Sequence, residues 1–200
     1  MFIVTADQRD SQGGDDLVPA GIATVERTAA DGLALPPERT AGDEIQAAIT
    51  SADAALAVAL ALTRAENWSV GLGVGEAETP LPREVRAARG PAFVHARDAV
   101  ERAKKAPTRL AISGDGAEDA EALVRLLVEL RDRRTDEGWE VHDLLAEGIT
   151  QREAAERIGI TEGAVSRRAS TAALRAEEAA IPALARTLAA LDPDAAAAGS

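Results

Sequence analysis

The sequence GITQREAAERIGITEGAVSRRASTAALR, residues 148–175, carries the clearest structural signal in the chain. Near its start Thr150 is followed, three residues later, by Glu153. A threonine at an N-cap accepts a hydrogen bond from the backbone of the third helical residue, and a glutamate there returns one, which makes a capping box. The pattern therefore predicts a helix from Gln151 to Ile158.

A glycine and a second threonine follow this helix. Gly159 can adopt the left-handed backbone conformation that a tight turn needs, and Thr161 is a good N-cap for a second helix to about Arg175. Helices joined so closely must cross and touch, and small or aliphatic residues stand where contact is expected. These inward residues are Ala154, Ala155, Ile158, Ile160, Val165, Ala169 and Leu174. The stretch is therefore predicted to be a helix-turn-helix.

The outer face of the second helix is polar and cationic, as expected of a helix that reads DNA. Arginine can bind the edge of a guanine or a phosphate, and hydroxyl groups can bind phosphates. The alternative that the pattern leaves open is an ordinary helix pair whose arginines are merely solvated. We expect DNA contacts from the two helix starts and this outer face, at Thr150, Gln151, Thr161, Glu162, Ser166, Arg167, Arg168 and Thr171.

The charge distribution restricts how the protein can bind nucleic acid. The chain has 200 residues and a formal net charge of −12. This argues against indiscriminate binding, because non-specific affinity arises almost wholly from phosphate neutralisation. Residues 148–175 differ, since five arginines outnumber three glutamates there and leave a local charge of +2. A small, focused basic surface favours binding to a particular DNA site.

Composition also bears on compartment and metal chemistry. The chain has no cysteine, which excludes disulfides and thiolate metal sites, and its two histidines, His95 and His142, are far apart in sequence. No apolar run of about 18 residues occurs. Met1 leads directly into an apolar segment without the basic residues of a signal peptide. We therefore expect a cytoplasmic protein without a membrane partner.

The first half of the chain alternates between strand and helix patterns. Short apolar, β-branched runs predict strands at 2–6, 68–74 and 109–113, and helical spacing predicts helices at 17–29, 51–63 and 92–105. A hairpin is expected from Arg39 to Thr50, with its turn at Gly42 and Asp43. The order β-α-β-β-α-β-α-β is that of a ferredoxin-like palm with one added helix and strand. The predicted fold class is α+β, a palm domain followed by an all-α helix-turn-helix domain.

Two carboxylates are expected to meet at one edge of the predicted sheet. Asp7 follows the first strand, and Asp43 lies in the turn of the hairpin that would pair beside it. Oxygen ligands at neighbouring strand ends are a common way to hold Mg²⁺ and, through it, a phosphate. Asp7 and Asp43 are therefore the predicted metal ligands, although Asp43 and Glu44 can also serve only to form the turn.

Alternating glycines occur in the segment VGLGVG, residues 70–75. They suggest a phosphate-binding loop, but neither of the common glycine-rich phosphate motifs is present. Glycines two apart lie on one face of a strand, where they permit another backbone to approach closely. Close packing beneath a helix is the favoured interpretation.

Several motifs resemble known families. The pattern T-Q-x-x-A-A-x-x-I-G-I-T-x-x-A-V-S-R-R, residues 150–168, resembles the helix-turn-helix of LuxR-type, sigma-factor and MarR-like bacterial regulators. The chain as a whole is similar to bacterial proteins of the SatD family. Residues 1–113 look more distantly like the palm of nucleotidyl cyclases and diguanylate cyclases. The residues that carry the last two resemblances are Ala6-Asp7, Gly42-Asp43-Glu44, the segment 70–75, Gly90-Pro91-Ala92 and His95-Ala96-Arg97-Asp98-Ala99.

The cyclase resemblance implies a nucleotide site in the palm. It adds Glu44 and Arg97 to Asp7 and Asp43 as candidate nucleotide or metal residues, with Mg²⁺ as the candidate cofactor. Class III cyclases have an asparagine four residues before such an arginine, and Phe93 occupies that place here. The resemblance therefore implies a degenerate palm that binds a nucleotide with little turnover.

Three functions follow from these patterns. The first is a sequence-specific, DNA-binding transcriptional regulator, with a palm domain at 1–113 for sensing or dimerisation, a helical linker and helix-turn-helix at 114–194, and a frayed tail at 195–200. We expect it to bind double-stranded DNA as a homodimer, because one short reading helix buries too little surface for tight specific binding. The alternatives are an active cyclase-type enzyme that uses Mg²⁺ and a nucleoside triphosphate, and a scaffold without a ligand.

Overall fold

A computed structural model describes residues 1–10 and 14–193 of the chain. The tail predicted at 195–200 lies outside the described residues. Within the described part, five strands form one mixed sheet and eight α-helices accompany it. The α+β class expected from the sequence is confirmed.

The five strands are β1 (Phe2–Gln8), β2 (Leu33–Arg39), β3 (Glu44–Ile49), β4 (Trp68–Val74) and β5 (Leu110–Ser113). Their order in the sheet is β2-β3-β1-β4-β5. Neighbouring strands are antiparallel, except that β4 and β5 are parallel. β1 is therefore a central strand, and every residue of β3 and β4 is buried.

The eight helices are α1 (Val18–Ala29), α2 (Ala52–Arg64), α3 (Pro91–Ala103), α4 (Glu118–Asp132), α5 (Asp136–Ala146), α6 (Gln151–Ile158), α7 (Glu162–Thr171) and α8 (Leu174–Ala189). Short 3₁₀ turns occupy Ala30–Gly32 and Val85–Ala87. The Ser51 hydroxyl accepts a hydrogen bond from the Ala54 backbone N–H at 3.3 Å, so Ser51 caps α2.

Helices cover both faces of the sheet, which explains why its central strands are buried throughout. α1 and α2 pack against each other and against the sheet, and α3 packs mainly against β4 and β5. A Cβ atom at Gly71 would lie 2.3 Å from the Val100 backbone nitrogen, and one at Gly73 would lie 2.2 Å from the Ala92 carbonyl oxygen. Close packing beneath a helix, as predicted, accounts for these two glycines.

The predicted hairpin is present, although its first arm begins earlier than expected. β2 runs continuously from Leu33 to Arg39, with one register shift against β3 between Leu33 and Leu35 and another between Leu35 and Glu38, which spans both prolines of the strand. Proline has no backbone N–H to donate and is tolerated in an edge strand such as β2. Gly42 has a φ of 58° in the turn, and the Glu44 backbone N–H donates to the Ala41 carbonyl at 2.9 Å.

The second helix of the helix-turn-helix is shorter than the sequence suggests, and this part of the prediction is wrong. α7 ends at Thr171, and Ala173 has a φ of 55°, which interrupts the helix. The final helix begins at Leu174, directly after this break, and continues through Pro182. A left-handed alanine is unfavourable by about 1–2 kcal/mol, so surrounding contacts must hold the break in place.

The chain packs as two compact units. The first contains Met1–Leu126 and the described residues from Ala183 onward, and the second contains Leu127–Pro182. Both divisions fall inside helices, α4 and α8. The sequence predicts a different boundary, between residues 113 and 114, because it separates the strand-containing part from the all-helical part. That boundary stays a prediction.

Candidate functional site

The start of α6 has the capping arrangement expected from its sequence. The Glu153 backbone N–H donates to the Thr150 hydroxyl at 3.2 Å, and the Thr150 backbone N–H donates to Glu153 Oε2 at 2.8 Å. The hydrogen bonds from the backbone N–H and the hydroxyl of Thr150 lower the pKa of Glu153. The predicted capping box is confirmed, and it fixes where the first helix begins.

The turn between the helices is closed by backbone hydrogen bonds. Gly159 has φ 77° and ψ 34°, and the N–H groups of Gly159 and Ile160 donate to the Ala155 carbonyl at 2.9 and 3.1 Å. This is the usual way in which a left-handed residue satisfies the last carbonyls of a helix. The Thr161 hydroxyl then accepts from the Ala164 backbone N–H at 3.2 Å and caps α7. The short turn predicted between α6 and α7 is therefore present.

A small apolar core holds α5, α6 and α7 together. Its fully buried members are Val141, Ala154, Ala155 and Val165. The partly buried residues packed against them are Leu144, Leu145, Ile149, Ile158, Ile160, Ala169 and Leu174. All seven inward residues predicted from the sequence belong to this core, although Leu174 enters it from the start of α8. The helix-turn-helix packing is confirmed at these positions.

The residues predicted to contact DNA differ in exposure. Two of them, Gln151 and Arg168, are half-buried. The exposed ones are Thr150, Thr161, Glu162, Ser166, Arg167 and Thr171. Thr150 and Thr161 use their hydroxyl oxygens as caps. The Thr150 hydroxyl also donates to Glu153 Oε2 at 2.7 Å, whereas the Thr161 hydroxyl can still donate a hydrogen bond to a ligand.

Two grooves flank α7 and are lined by five of these eight residues. Gln151 and Ser166 line a groove of about 500 Å³ together with the start of α8. Arg167, Arg168 and Thr171 line another groove, of about 410 Å³, on the side of α5. The exposed residues of α7 include Gly163, Ser166, Arg167 and Ser170, of which Ser166 and Ser170 line the first groove and Arg167 lines the second. The predicted residues thus lie on both sides of α7 and do not share one groove.

The two adjacent arginines of α7 have different surroundings. Arg168 Nη1 forms an ion pair with Glu140 Oε2 of α5 at 2.9 Å, and the Arg168 side chain is 30% exposed. Arg167 is exposed and makes no ion pair with any residue that the structure describes. Arg167 is therefore the more available of the two for a ligand, a distinction that their adjacency in sequence does not reveal.

A buried charged cluster that the sequence did not single out lies behind α7. Glu177, in the first turn of α8, pairs with both Arg131 and Arg134. Both guanidinium groups also lie against the Trp139 ring, with their central carbons 4.9 and 4.2 Å from the ring centroid. Burial alone would raise the pKa of Glu177, but the hydrogen bond from Arg134 and the charges of both arginines lower it. No local pattern identifies this cluster, because Glu177 is remote in sequence from its partners.

In the first unit, the structure brings Asp7 opposite Glu44 and leaves Asp43 beside them. Asp7 and Glu44 are cross-strand partners of β1 and β3. The Asp43 side chain makes no hydrogen bond or ion pair with Asp7 or Glu44. The backbone carbonyl oxygen of Asp43 accepts a hydrogen bond from the Gln8 backbone N–H at 3.1 Å. The two adjacent carboxylates are therefore those of Asp7 and Glu44. The hairpin does approach β1, as the sequence predicts.

Each of these two carboxylates has a cationic partner near α3. Lys104 Nζ lies 3.0 Å from Asp7 Oδ2, and Arg97 Nη1 lies 3.3 Å from Glu44 Oε2. The Thr40 hydroxyl also donates to Glu44 Oε1 at 2.5 Å. Although burial alone would lower the pKa of Lys104, its hydrogen bonds to Glu101 and Asp7 raise it. The predicted residues Asp7, Glu44 and Arg97 thus form one polar cluster, to which the structure adds Lys104.

The oxygen ligands that this cluster offers can be compared with those that the predicted Mg²⁺ needs. Within the described chain, no three histidine, aspartate or glutamate side chains come together as a candidate metal site. Two carboxylates can nevertheless hold Mg²⁺ when water and phosphate supply the other ligands. Such an ion would compete with Lys104 and Arg97 for the carboxylate oxygens. The predicted metal ligands Asp7 and Asp43 stay a prediction.

Comparison with known protein families, characterised proteins and solved structures finds no match to this chain. The resemblance to SatD-family proteins and to cyclase palms therefore stays an expectation from the motifs. Among residues 1–10 and 14–193, no helix combines the length and apolar composition needed to cross a membrane.

Proposed function

We propose that this protein is a sequence-specific, DNA-binding transcriptional regulator that reads double-stranded DNA with α7. The observation that carries the proposal is the pairing of a capped α6 and a capped α7, whose outer face is polar, across a turn at Gly159. A second helix presented in this way can enter the major groove while the first crosses the backbone. The local charge of +2 in a chain of net charge −12 favours this segment as the DNA-binding surface.

The strand order of the sheet supports our proposal that the first unit is a palm domain. The order β2-β3-β1-β4, with antiparallel neighbours, agrees with a ferredoxin-like palm, and β5 agrees with the added strand. We assign this part a sensory or dimerisation role in a SatD-like regulator. Asp7, Asp43, Glu44 and Arg97 remain the candidate residues for a nucleotide bound through Mg²⁺, and the pairing of Asp7 with Glu44 across β1 and β3 supports this. A homodimer would present two reading helices to an inverted repeat. Because the proposed target is genomic DNA, we also propose a cytoplasmic location.

The alternative is a nucleotidyl cyclase-type enzyme that uses Mg²⁺ and a nucleoside triphosphate. The observation in its favour is the adjacency of Asp7 and Glu44 on neighbouring strands. The position four residues before Arg97 is Phe93, which cannot orient a substrate by hydrogen bonding as an asparagine does. Incubation with ATP or GTP and Mg²⁺ separates the two functions, because cyclic product at several turnovers per minute would favour the enzyme.

Selection of genomic DNA by the purified protein tests the main proposal. Fragments retained by the full chain are sequenced with and without a nucleotide mixture, and we expect one enriched motif. An Arg167→Ala variant should retain much less DNA, whereas Arg27→Ala, which removes the same charge from an exposed position of α1, should retain as much as the wild type. Fragments recovered without any common motif would contradict sequence-specific binding.

A further inference from the structure

The groove between α5 and α7 has a strongly cationic lining. Its arginines are Arg133, Arg134, Arg167 and Arg168, and its one acidic residue is Glu137. The groove has a volume of about 410 Å³. Guanidinium groups present planar pairs of N–H donors that match the oxygens of phosphate.

The four arginines are not equally engaged within the protein. Arg133 has an 80% exposed side chain and lies 3.9 Å from Glu129, a weak surface pair. Arg167 makes no ion pair with any residue in the described part of the chain, whereas Arg168 is paired with Glu140. Arg133 and Arg167 therefore retain donors for a ligand.

Arg134 differs from the other three because it is buried. Its Nε and Nη2 atoms donate to the Ala172 carbonyl, and Nη2 also bonds Glu177. Its Nη1 atom is buried and has no hydrogen-bond partner among the described residues. A buried guanidinium donor without an acceptor is unfavourable, and a nearby anion would offset this. Arg134 and Arg131 share the single carboxylate of Glu177, so this cluster adds one net positive charge behind a groove that already has two available arginines.

We propose that this groove holds one phosphate group of the DNA backbone, next to the base pairs read by α7. The inference rests on the proposed function, because α7 forms one wall of the groove and would bring the phosphate there. Arg133 and Arg167 bind the phosphate oxygens, and Arg134 raises the local positive potential. Arg133 precedes α5 and belongs to neither helix of the helix-turn-helix. A phosphate contact of this kind sets the position of a reading helix on the duplex without specifying bases.

The salt dependence of DNA binding tests the proposal. The full chain and its variants are titrated with the selected duplex at NaCl concentrations from about 50 to 200 mM. Because both arginines share one phosphate, the double variant Arg133→Ala/Arg167→Ala should reduce the slope of log affinity against log salt by about one. Glu137→Gln should raise affinity a few-fold, since it removes the negative charge from the groove. Arg27→Ala is the matched control and should leave the slope unchanged.

Each result has a distinct meaning. If the wild-type protein binds the duplex and the double variant has the same salt-dependence slope, the phosphate site in the groove is wrong and the proposed function stands. A protein that binds no DNA would overturn the proposed function. In that case inorganic phosphate is titrated at constant ionic strength and the Thr135 and Thr171 amide resonances are followed. Saturable shifts would assign the groove to a free phosphate ligand, and no shifts would remove the site altogether.

Discussion

The Arg134 guanidinium donates to the Ala172 carbonyl oxygen through both Nε and Nη2, at 3.2 and 3.0 Å, and Ala172 is the C-cap residue directly after α7. Gly138 lies beside this contact, where a Cβ atom would be 2.8 Å from Arg134 Cγ and 3.1 Å from Ala172 Cβ. The end of the proposed reading helix is therefore held by an arginine outside the helix-turn-helix, in a space that a glycine keeps open.

Replacement of Arg134 should destabilise the second unit strongly. Arg134→Leu leaves the Ala172 carbonyl and one Glu177 oxygen without their donor, and breaking such a buried pair costs about 3–5 kcal/mol. Hydrogen exchange of the α6 and α7 amides measures the change within this unit. Arg133→Ala is the adjacent control, and we expect a change of about 0.5 kcal/mol or less because Arg133 is exposed. Equal effects of the two substitutions would contradict the bracing role of Arg134.

Acid should weaken the same unit through Glu177. Its pKa is lowered in the folded protein by Arg134 and Arg131, despite the opposing effect of burial. A depressed carboxyl pKa contributes stability above the unfolded value, about 4.3, and this contribution is lost as pH falls through the folded value. Protection of the α6 and α7 amides should therefore fall as pH decreases below about 4.3.

Substitutions at Glu177 and its neighbour isolate this effect. Glu177→Gln should lower stability at neutral pH and flatten the acid dependence, since the variant side chain does not titrate. Glu178→Gln changes an adjacent, exposed glutamate and should leave both the neutral stability and the acid dependence close to wild type. An unaltered pH profile in Glu177→Gln would assign the acid sensitivity to another group.

Two glycines near the turn should respond to alanine in opposite directions. Neither Gly159 nor Gly163 has a neighbour close enough to clash with a Cβ atom. Gly159 has a φ of 77°, so alanine there should destabilise by about 1–2 kcal/mol. Gly163 lies inside α7, where alanine should stabilise by up to about 1 kcal/mol. Thermal unfolding of both variants measures the contrast, and destabilisation by both would point to an unrecognised contact.

Gly73 should not tolerate a side chain. A Cβ atom would lie 2.2 Å from the Ala92 carbonyl oxygen and 2.3 Å from the Ala96 backbone nitrogen, so α3 would have to move away from β4. We expect Gly73→Ala to destabilise by about 1–3 kcal/mol or more, measured by urea unfolding. Ser113→Ala, at the position paired with Gly73 in β5, is the control and should have a smaller effect. A stable Gly73→Ala protein would show that α3 can shift without loss of packing.

The proposed homodimer makes a prediction for α4. Leu123 and Leu126 are 47% and 64% exposed and lie three residues apart, on one side of that helix. Burial of such leucines against a second copy is favourable, and light scattering should show a dimer that Leu126→Glu converts to a monomer. Val94→Glu, at an exposed position of α3, is the control. The dimer should protect two DNA half-sites about 10 base pairs apart, whereas a wild-type monomer that binds one half-site tightly would refute it.

Much of the helix-turn-helix was predictable because its signals are local. The capping box at Thr150, the left-handed Gly159 and the cap at Thr161 each act within a few residues. The end of α7 was not predictable in the same way. The helical pattern continues past Thr171, and the break at Ala173 coincides with the bonds from Arg134, which come from a distant segment.

The sequence by itself determined the α+β class, the hairpin, the close approach at Gly71 and Gly73 and the turn of the helix-turn-helix, because neighbouring residues encode periodicity, caps and turns. Only the tertiary structure decided that Glu44 lies opposite Asp7, since strand register depends on the packing of the whole sheet. It also decided which cations meet these carboxylates and that Arg134 meets Glu177. Such pairs join segments remote in sequence, and their geometry exists only once the helices have packed.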